Sequence, residues 1–284
     1  LGKADLHIHT TASDGLCNPE EIVKIAKSRS LEVISITDHD SISGYLSARV
    51  SAEKNSITLI PGTEVTAVCE EREIHVLAYN FDPDHLEIRT FLSRQQQARL
   101  NRMEQILRIL RTREGIDITL DEVKAQAKNN NVGRPHVAQL LVKKKIVASI
   151  TEAFIRYLGN RLLEKLEVGY TGLKEVTQII AEAGGASVLA HPGPLYQRKE
   201  VEKYLDLGLD GIECIHPAHG FDQQKSYTDL AESRNLLITG GSDFHGTGSG
   251  YDPYFGIVTV SESRVNNLIR MTENRKKLKV GLET

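Results

Sequence analysis

The chain has 284 residues, with 35 Lys and Arg against 38 Asp and Glu, ten His, three Cys and no Trp. That length suits one α/β barrel with an insertion as well as two domains, and 40% hydrophobic with 26% charged content describes an ordinary soluble globular protein. No apolar run approaches the ~18 residues of a membrane-spanning helix, and Cys17, Cys69 and Cys214 lie too far apart for a disulfide framework or a Cys-based zinc site.

In chain order, short apolar and β-branched runs predict strands at Ala4–His9, Val33–Thr37, Ile57–Ile60 running on to Val68, and Ile74–Tyr79. Later strands are expected at Ser187–Ala190, Gly211–Ile215, Leu236–Thr239 and Gly256–Val260. Asn18 before Pro19-Glu20-Glu21 is a helix start, with a capping amide, a proline at the first position and acids at the positive dipole end. Leu173–Ala183 has helical apolar spacing and stops at Gly184-Gly185. Such alternation implies parallel strands joined by right-handed crossovers.

The rhythm breaks between residues 83 and 170. His85–Arg113 reads as one long helix burying Leu86, Phe91, Leu92, Leu100, Met103, Ile106, Leu107 and Leu110. Thr119 to Glu122 has capping-box spacing, Pro135 opens a further helix, and Thr151–Leu163 is read as another. The expectation is therefore a barrel built from residues 1–82 and 171–284, interrupted by an all-helical, substrate-capping insertion over 83–170. Charge divides along the same line. Residues 85–145 carry thirteen Lys/Arg and six Asp/Glu, a balance of +7, which leaves −10 for the remainder. A solvated basic helix pair would look the same, but an acidic body suits cations and a basic segment suits anions.

Residues i and i+2 of a strand face one side, so His7 and His9 point together and can share a divalent metal. The second strand ends at Thr37-Asp38-His39-Asp40 and the third at Gly62-Thr63-Glu64. The fourth carries His75, the fifth ends at His191, and His216 with His219 follows the sixth. Asp243 and His245 follow the seventh, again at i, i+2. Each alone reads as a packed core histidine or a strand-end cap. Together they place an imidazole or carboxylate at nearly every strand's C-terminal end, where α/β barrels build active sites. His75, in mid-strand, is the exception. Nine candidate ligands (His7, His9, Asp14, His39, Glu64, His75, His191, Asp243 and His245) exceed one ion and suit two or three of manganese, iron or zinc. Divalent ions about 3.5–4 Å apart can share a hydroxide and clamp a transferring phosphoryl group, so hydrolysis is the expected chemistry.

The run Asp5-Leu6-His7-Ile8-His9-Thr10, with Ser13-Asp14-Gly15, Thr37-Asp38-His39-Asp40, Gly62-Thr63-Glu64, Ala190-His191-Pro192 and Ser242-Asp243-Phe244-His245, resembles the polymerase and histidinol phosphatase (PHP) phosphoesterase family. The resemblance implies a distorted seven-stranded, TIM-barrel-like (β/α) barrel holding two or three metals. It also implies that His7, His9, Glu64 and Asp243 bind one metal, Glu64, His75 and His191 a second, and Asp14, His39 and His245 a third. The helical insertion is similar to that of enzymes removing phosphate from nucleoside 3′,5′-bisphosphates, some of which trim RNA from the 5′ end. Gly133-Arg134-Pro135-His136 is the matching motif, and its chemistry agrees: Arg134 offers a planar fork to phosphate, beside a helix N-terminus. Ile215-His216-Pro217-Ala218-His219 resembles the same subgroup.

The expected mechanism is in-line attack by a metal-activated hydroxide on a phosphomonoester, Arg134 and the metals stabilising the equatorial oxygens. Asp243 is expected to accept the water proton and His219 to contact phosphate or protonate the leaving group, with His216 and His136 as further phosphate-side candidates. Three readings compete: a phosphatase of nucleoside bisphosphates and short RNA 5′ ends, a phosphatase of another metabolite such as histidinol phosphate or a cyclic phosphodiester, and a non-catalytic metal-binding regulatory module. The last is disfavoured because all nine ligand positions carry plausible donors. The expected compartment is a reducing cytoplasm.

Overall fold

The β-branched runs pair into one eight-stranded sheet in the order β7-β6-β5-β4-β3-β2-β1-β8. A computed structural model describes residues 3–70, 72–127, 129–159, 166, 169–193, 195–246 and 252–280. Strand β1 (Lys3–Ile8) leads through helix α1 (Pro19–Ser28) to β2 (Val33–Ile36), and α2 (Ser43–Lys54) leads on to β3 (Thr58–Cys69). These three strands are parallel. Asn18 caps α1 through a reciprocal pair of bonds with Glu21, each 2.9 Å.

Strand β4 (Arg72–Tyr79) departs from the expected all-parallel order, because it runs antiparallel to both β3 and β5. Only two residues separate Cys69 from Arg72, whereas a parallel return needs a crossover of about a dozen residues.

Helices α3 (Leu86–Glu114), α4 (Leu120–Ala127), α5 (Arg134–Lys143) and α6 (Ile150–Ala153) follow, and a π-turn over Phe154–Leu158 continues α6. Residues 160–163 of the helix read over Thr151–Leu163 lie outside the described residues. Met103, Leu107, Val123, Leu141 and Leu158 belong to an apolar cluster formed by this segment itself. Leu86 is 79% exposed, contrary to expectation, while Gln95, Arg99 and Arg102 of α3 are buried. They are tolerated there because each meets a partner: the Thr66 carbonyl, Asp40 and Glu73 respectively.

After α7 (Leu173–Glu182) come β5 (Ala186–Leu189), α8 (Arg198–Asp206), β6 (Gly211–Ile215), α9 (Phe221–Ser233) and β7 (Leu237–Gly240). Strands β5, β6 and β7 are parallel. Strand β8 (Val260–Ser261), ahead of α10 (Glu262–Val280), is an eighth strand antiparallel to β1. It is shorter than the run read from Gly256, since Ile257 and Val258 turn back to the Tyr254 carbonyl.

The sheet curls into a nearly closed barrel. Ile8 bridges Phe244, just past β7, and the His9 amide donates to the Phe244 carbonyl at 2.9 Å. Closure needs Gly241, where an added Cβ would stand 2.4 Å from the His7 nitrogen. None of the described helices is long and apolar enough to cross a membrane.

Candidate metal centre

His7 lies in β1 and His9 just past its end, and both are fully buried. His39 follows β2, and its bridge to Glu64 registers that loop against β3. Glu64 is not at a strand end, because β3 continues into the hairpin with β4. The reversal of β4 accounts for His75. An antiparallel strand begins at the end where its neighbours finish, so a residue early in β4, opposite Thr66, reaches the same mouth. His191 follows β5, and Asp243 and His245 follow β7. His191 and Asp243 take positive φ, 26° and 52°. Such backbone costs about 1–3 kcal/mol per residue and collects at functional sites.

Five of the nine side chains face a sixth, Glu64. Its Oε2 lies 3.3 Å from His7 Nε2, 3.1 Å from His9 Nε2 and 3.3 Å from His39 Nδ1. Its Oε1 lies 2.8 Å from His75 Nδ1 and 2.9 Å from His191 Nε2. Asp243 Oδ1 stands 3.3 Å from the Nε2 atoms of both His7 and His9, which are 3.1 Å from each other. At the far end Asp14 lies 3.7 Å from His9 and His39 and 3.5 Å from His245.

These spacings fit divalent cations. Ligand atoms about 2.1 Å from one ion stand about 3.0 Å apart at right angles and about 3.4 Å apart tetrahedrally. The His7, His9, Asp243 and Glu64 separations of 3.1–3.3 Å fall within that range. Compact groups form from His7, His9 and Asp243, from His7, Glu64 and His191, from His39, Glu64 and His75, and from His9, Asp14, His39 and His245. Asp14 Oδ1 and His39 Nδ1 are buried without a hydrogen-bond partner, which is how ligand atoms look with no ion beside them.

Outer contacts orient the imidazoles. Glu213 Oε1 lies 2.9 Å from His7 Nδ1, so that nitrogen carries the proton and Nε2 turns a lone pair toward the cluster. His245 Nδ1 donates to the Asp243 carbonyl at 2.8 Å, with the same result. Asp38 accepts from the Thr10 amide, Thr10 Oγ1 and Ser13 Oγ, fixing the loop that carries Asp14. Burial pushes the Glu64 carboxyl up, but the imidazoles of His39, His75 and His7 outweigh it and hold it well below the carboxylate range. Asp243 behaves alike, burial being overcome chiefly by His7 and His245. Both carboxylates are therefore charged and ready to ligate.

The remaining expected residues are placed differently. Arg134 begins α5, donates to the Leu158 carbonyl at 3.0 Å and lies over the Phe154 ring. Burial and then the neighbouring Arg102 lower its affinity for a proton. Arg102 pairs with Glu73 at 2.6 Å and Arg99 with Asp40 at 2.5 Å, whereas Arg134 has no carboxylate within ion-pair distance among the described residues. His219 Nδ1 donates to the Cys214 carbonyl at 2.8 Å, and Nε2 accepts from the Gly193 amide at 2.9 Å. Both nitrogens are thus engaged by backbone, which assigns His219 to holding the loop after β5 rather than to proton donation. His136 Nδ1 accepts from the Gly133 amide at 3.0 Å. His216 Nδ1 accepts from the Ala218 amide at 3.0 Å, and Nε2 faces Asp243 Oδ2 at 3.4 Å.

Sequence reasoning overlooked Glu213, Glu73 and Asn131. Glu213 had one signal, a carboxylate inside the apolar strand Gly-Ile-Glu-Cys-Ile.

Comparison with known proteins agrees with this geometry. A profile of the PHP domain matches residues 5–206. The chain is 33% identical over 248 residues to a 5′-3′ exoribonuclease of Haemophilus influenzae, covering 86% of this chain and 90% of that one. It is 28% identical to a phosphoribosyl 1,2-cyclic phosphate 1,2-diphosphodiesterase of Eggerthella lenta, covering 85% and 94%. It is also 28% identical to a 3′,5′-nucleoside bisphosphate phosphatase of Chromobacterium violaceum, covering 88% and 90%. A crystal structure of a protein from Bifidobacterium adolescentis, described as a metal-dependent phosphoesterase, matches with a TM-score of 0.85 at 30% identity over 94% of this chain and 96% of that one.

Proposed function

The chain belongs to the PHP domain family and is a metal-dependent phosphoester hydrolase, and we propose that it removes the 3′-phosphate of nucleoside 3′,5′-bisphosphates and trims short RNA from the 5′ end. The observation that carries the reading is the Glu64 carboxylate, one oxygen facing His7, His9 and His39 and the other facing His75 and His191. A carboxylate so placed would contribute to holding two cations, and its nitrogen and oxygen neighbours suit manganese, iron or zinc. His7, His9, Glu64 and Asp243 would hold one ion and Glu64, His75 and His191 a second. Asp14, His39 and His245 would hold a third. Bound divalent ions supply Lewis acidity and a water acidified toward neutral pH.

The chain's own groups do the rest. Asp243 Oδ2 accepts the proton of the incoming water, and His216 at 3.4 Å fixes that oxygen's direction. Arg134 lacks a carboxylate partner among the described residues, so its charge is available to substrate phosphate. The helical segment over 83–170 then caps the barrel mouth, and its basic balance favours a substrate with a second phosphate or an RNA backbone. Free cysteines at positions 17, 69 and 214 suit a reducing cytoplasm.

The Eggerthella lenta relative favours a second reading, a cyclic phosphodiesterase. With added Mn²⁺, phosphate release from a nucleoside 3′,5′-bisphosphate, a 5′-phosphorylated RNA trimer, histidinol phosphate and a ribose cyclic phosphate separates them. The proposal expects the first two as the best substrates. Faster hydrolysis of either of the others would overturn it.

A further inference from the structure

Two side chains of the helical segment, Asn129 and Asn131, hold carbonyl groups of the two loops that carry Asp14 and His39. Asn131 Nδ2 lies 2.5 Å from the His39 carbonyl oxygen and 3.2 Å from that of Ala12. Asn129 Nδ2 donates to the Thr11 carbonyl at 2.6 Å. Asn129 Oδ1 in turn accepts the Asn131 amide at 2.6 Å, so the holding residues brace one another.

Both neighbours of the Asn131 amide are acceptors, which fixes its nitrogen toward them. Asn131 Oδ1 is buried and has no hydrogen-bond partner among the described residues. A buried acceptor left unpaired is a cost to the fold, borne here by a side chain whose donor end ties together two loops twenty-seven residues apart in sequence. The ligand atoms those loops carry, His39 Nε2 and Asp14 Oδ2, stand 3.7 Å apart.

We propose that the helical segment is a positioning device for the Asp14, His39 and His245 end of the metal cluster, with Asn131 as its positioning residue. The inference rests on the metal-centre reading above, and it gives the segment a task besides meeting substrate. Removing the amide lets the two loops separate, so an ion between them is held less tightly.

The test is calorimetric titration of Mn²⁺ into chelator-stripped protein, for the unaltered chain, Asn131→Ala, Asn131→Asp and Arg134→Ala. Outer contacts of ligand residues typically affect metal affinity by about 10–100-fold. One class of Mn²⁺ site should weaken by about that factor in both Asn131 variants while the others keep their affinity. KM at saturating Mn²⁺ should stay unchanged. Arg134→Ala should show the reverse, with KM raised and Mn²⁺ binding intact. Asn131→Asp keeps the size but turns an acceptor toward two carbonyls, and it serves if the alanine variant does not fold. Unaltered Mn²⁺ affinity in the Asn131 variants would overturn the proposal. So would loss of every site together with a lower melting temperature of the metal-free protein. Heat of Mn²⁺ binding is independent of which phosphoester is cleaved, so failure of the substrate reading is seen separately, in the turnover assay.

Discussion

Glu213 Oε1 stands 2.9 Å from His7 Nδ1, and both side chains are completely buried. The other Glu213 oxygen accepts the His191 amide at 2.7 Å, so a single carboxylate in β6 braces two ligand-bearing segments. Burial raises this carboxyl, and His7 with His216 more than offsets it, leaving the group charged below its ordinary range. Glu213→Gln keeps the shape but weakens the bond that fixes the His7 tautomer. Metal affinity should fall about 10–100-fold, read as a rightward shift in Mn²⁺-dependent melting. A variant stabilised by the same Mn²⁺ concentrations as the native chain would deny Glu213 this part.

Asp243 has φ 52°, a conformation asparagine adopts readily. Asp243→Asn should therefore fold while losing both the ligand charge and the proton acceptor. Turnover is expected to drop by at least about 10²–10⁴-fold, with the circular dichroism spectrum retained. Full phosphatase activity in excess Mn²⁺ would remove Asp243 from the mechanism.

Arg134 should act on binding more than on the chemical step. A hydrogen bond to a charged group contributes about 1.5–3 kcal/mol, so Arg134→Ala should raise KM about 10- to 100-fold with kcat changed much less. Lysine should rescue poorly, because the forked guanidinium both meets phosphate and stacks on the Phe154 ring. A fall in kcat at constant KM would instead place Arg134 in transition-state stabilisation alone.

The Arg99–Asp40 pair ties α3 to the loop after β2, and Asp40 also accepts the Thr66 amide at 2.8 Å. Asp40→Asn keeps the size and tolerates the φ of 48° but leaves the Arg99 charge buried without compensation. Breaking such a pair typically costs about 3–5 kcal/mol, measurable by urea unfolding. The exposed Lys225–Asp229 pair is the contrast: Asp229→Asn should change nothing measurable. Equal effects from the two substitutions would mean that burial is not what makes the Arg99–Asp40 pair matter.

How much of this was legible before the structure differs residue by residue. His7 and His9 were readable as a pair because strand periodicity alone puts i and i+2 on one side. The direction of β4 had one signal, a link after β3 too short for a parallel return, while its hairpin turn carries no glycine or asparagine. Glu70 itself takes the left-handed conformation, with φ 47°. That reversal is what brings His75 to the mouth. His219 was read as a phosphate contact or leaving-group acid because Ile215-His216-Pro217-Ala218-His219 resembles the bisphosphatase subgroup. Its two partners, the Cys214 carbonyl and the Gly193 amide, come from separate loops that meet only in the fold. Asn131 was hidden for the same reason, since the carbonyls it holds lie 92 and 119 residues away in sequence.

The exposed arginines of α3 yield the last prediction. Arg89, Arg94, Arg108, Arg111 and Arg113 are exposed along one helix, in a chain whose aromatic content is only 5%. RNA bound there is held by backbone charge rather than by stacked bases. Each contact to single-stranded RNA contributes about −0.7 to the slope of log affinity against log salt, so three contacts give about −2. Raising salt from about 50 to about 200 mM should then cost about 20-fold in kcat/KM on a 5′-phosphorylated oligoribonucleotide. A nucleoside bisphosphate, too short to reach along α3, should lose far less. Paired replacement of Arg108 and Arg111 by Gln should flatten the RNA curve and leave the mononucleotide curve alone. If both substrates showed the same salt dependence, the helix would have no part in holding RNA.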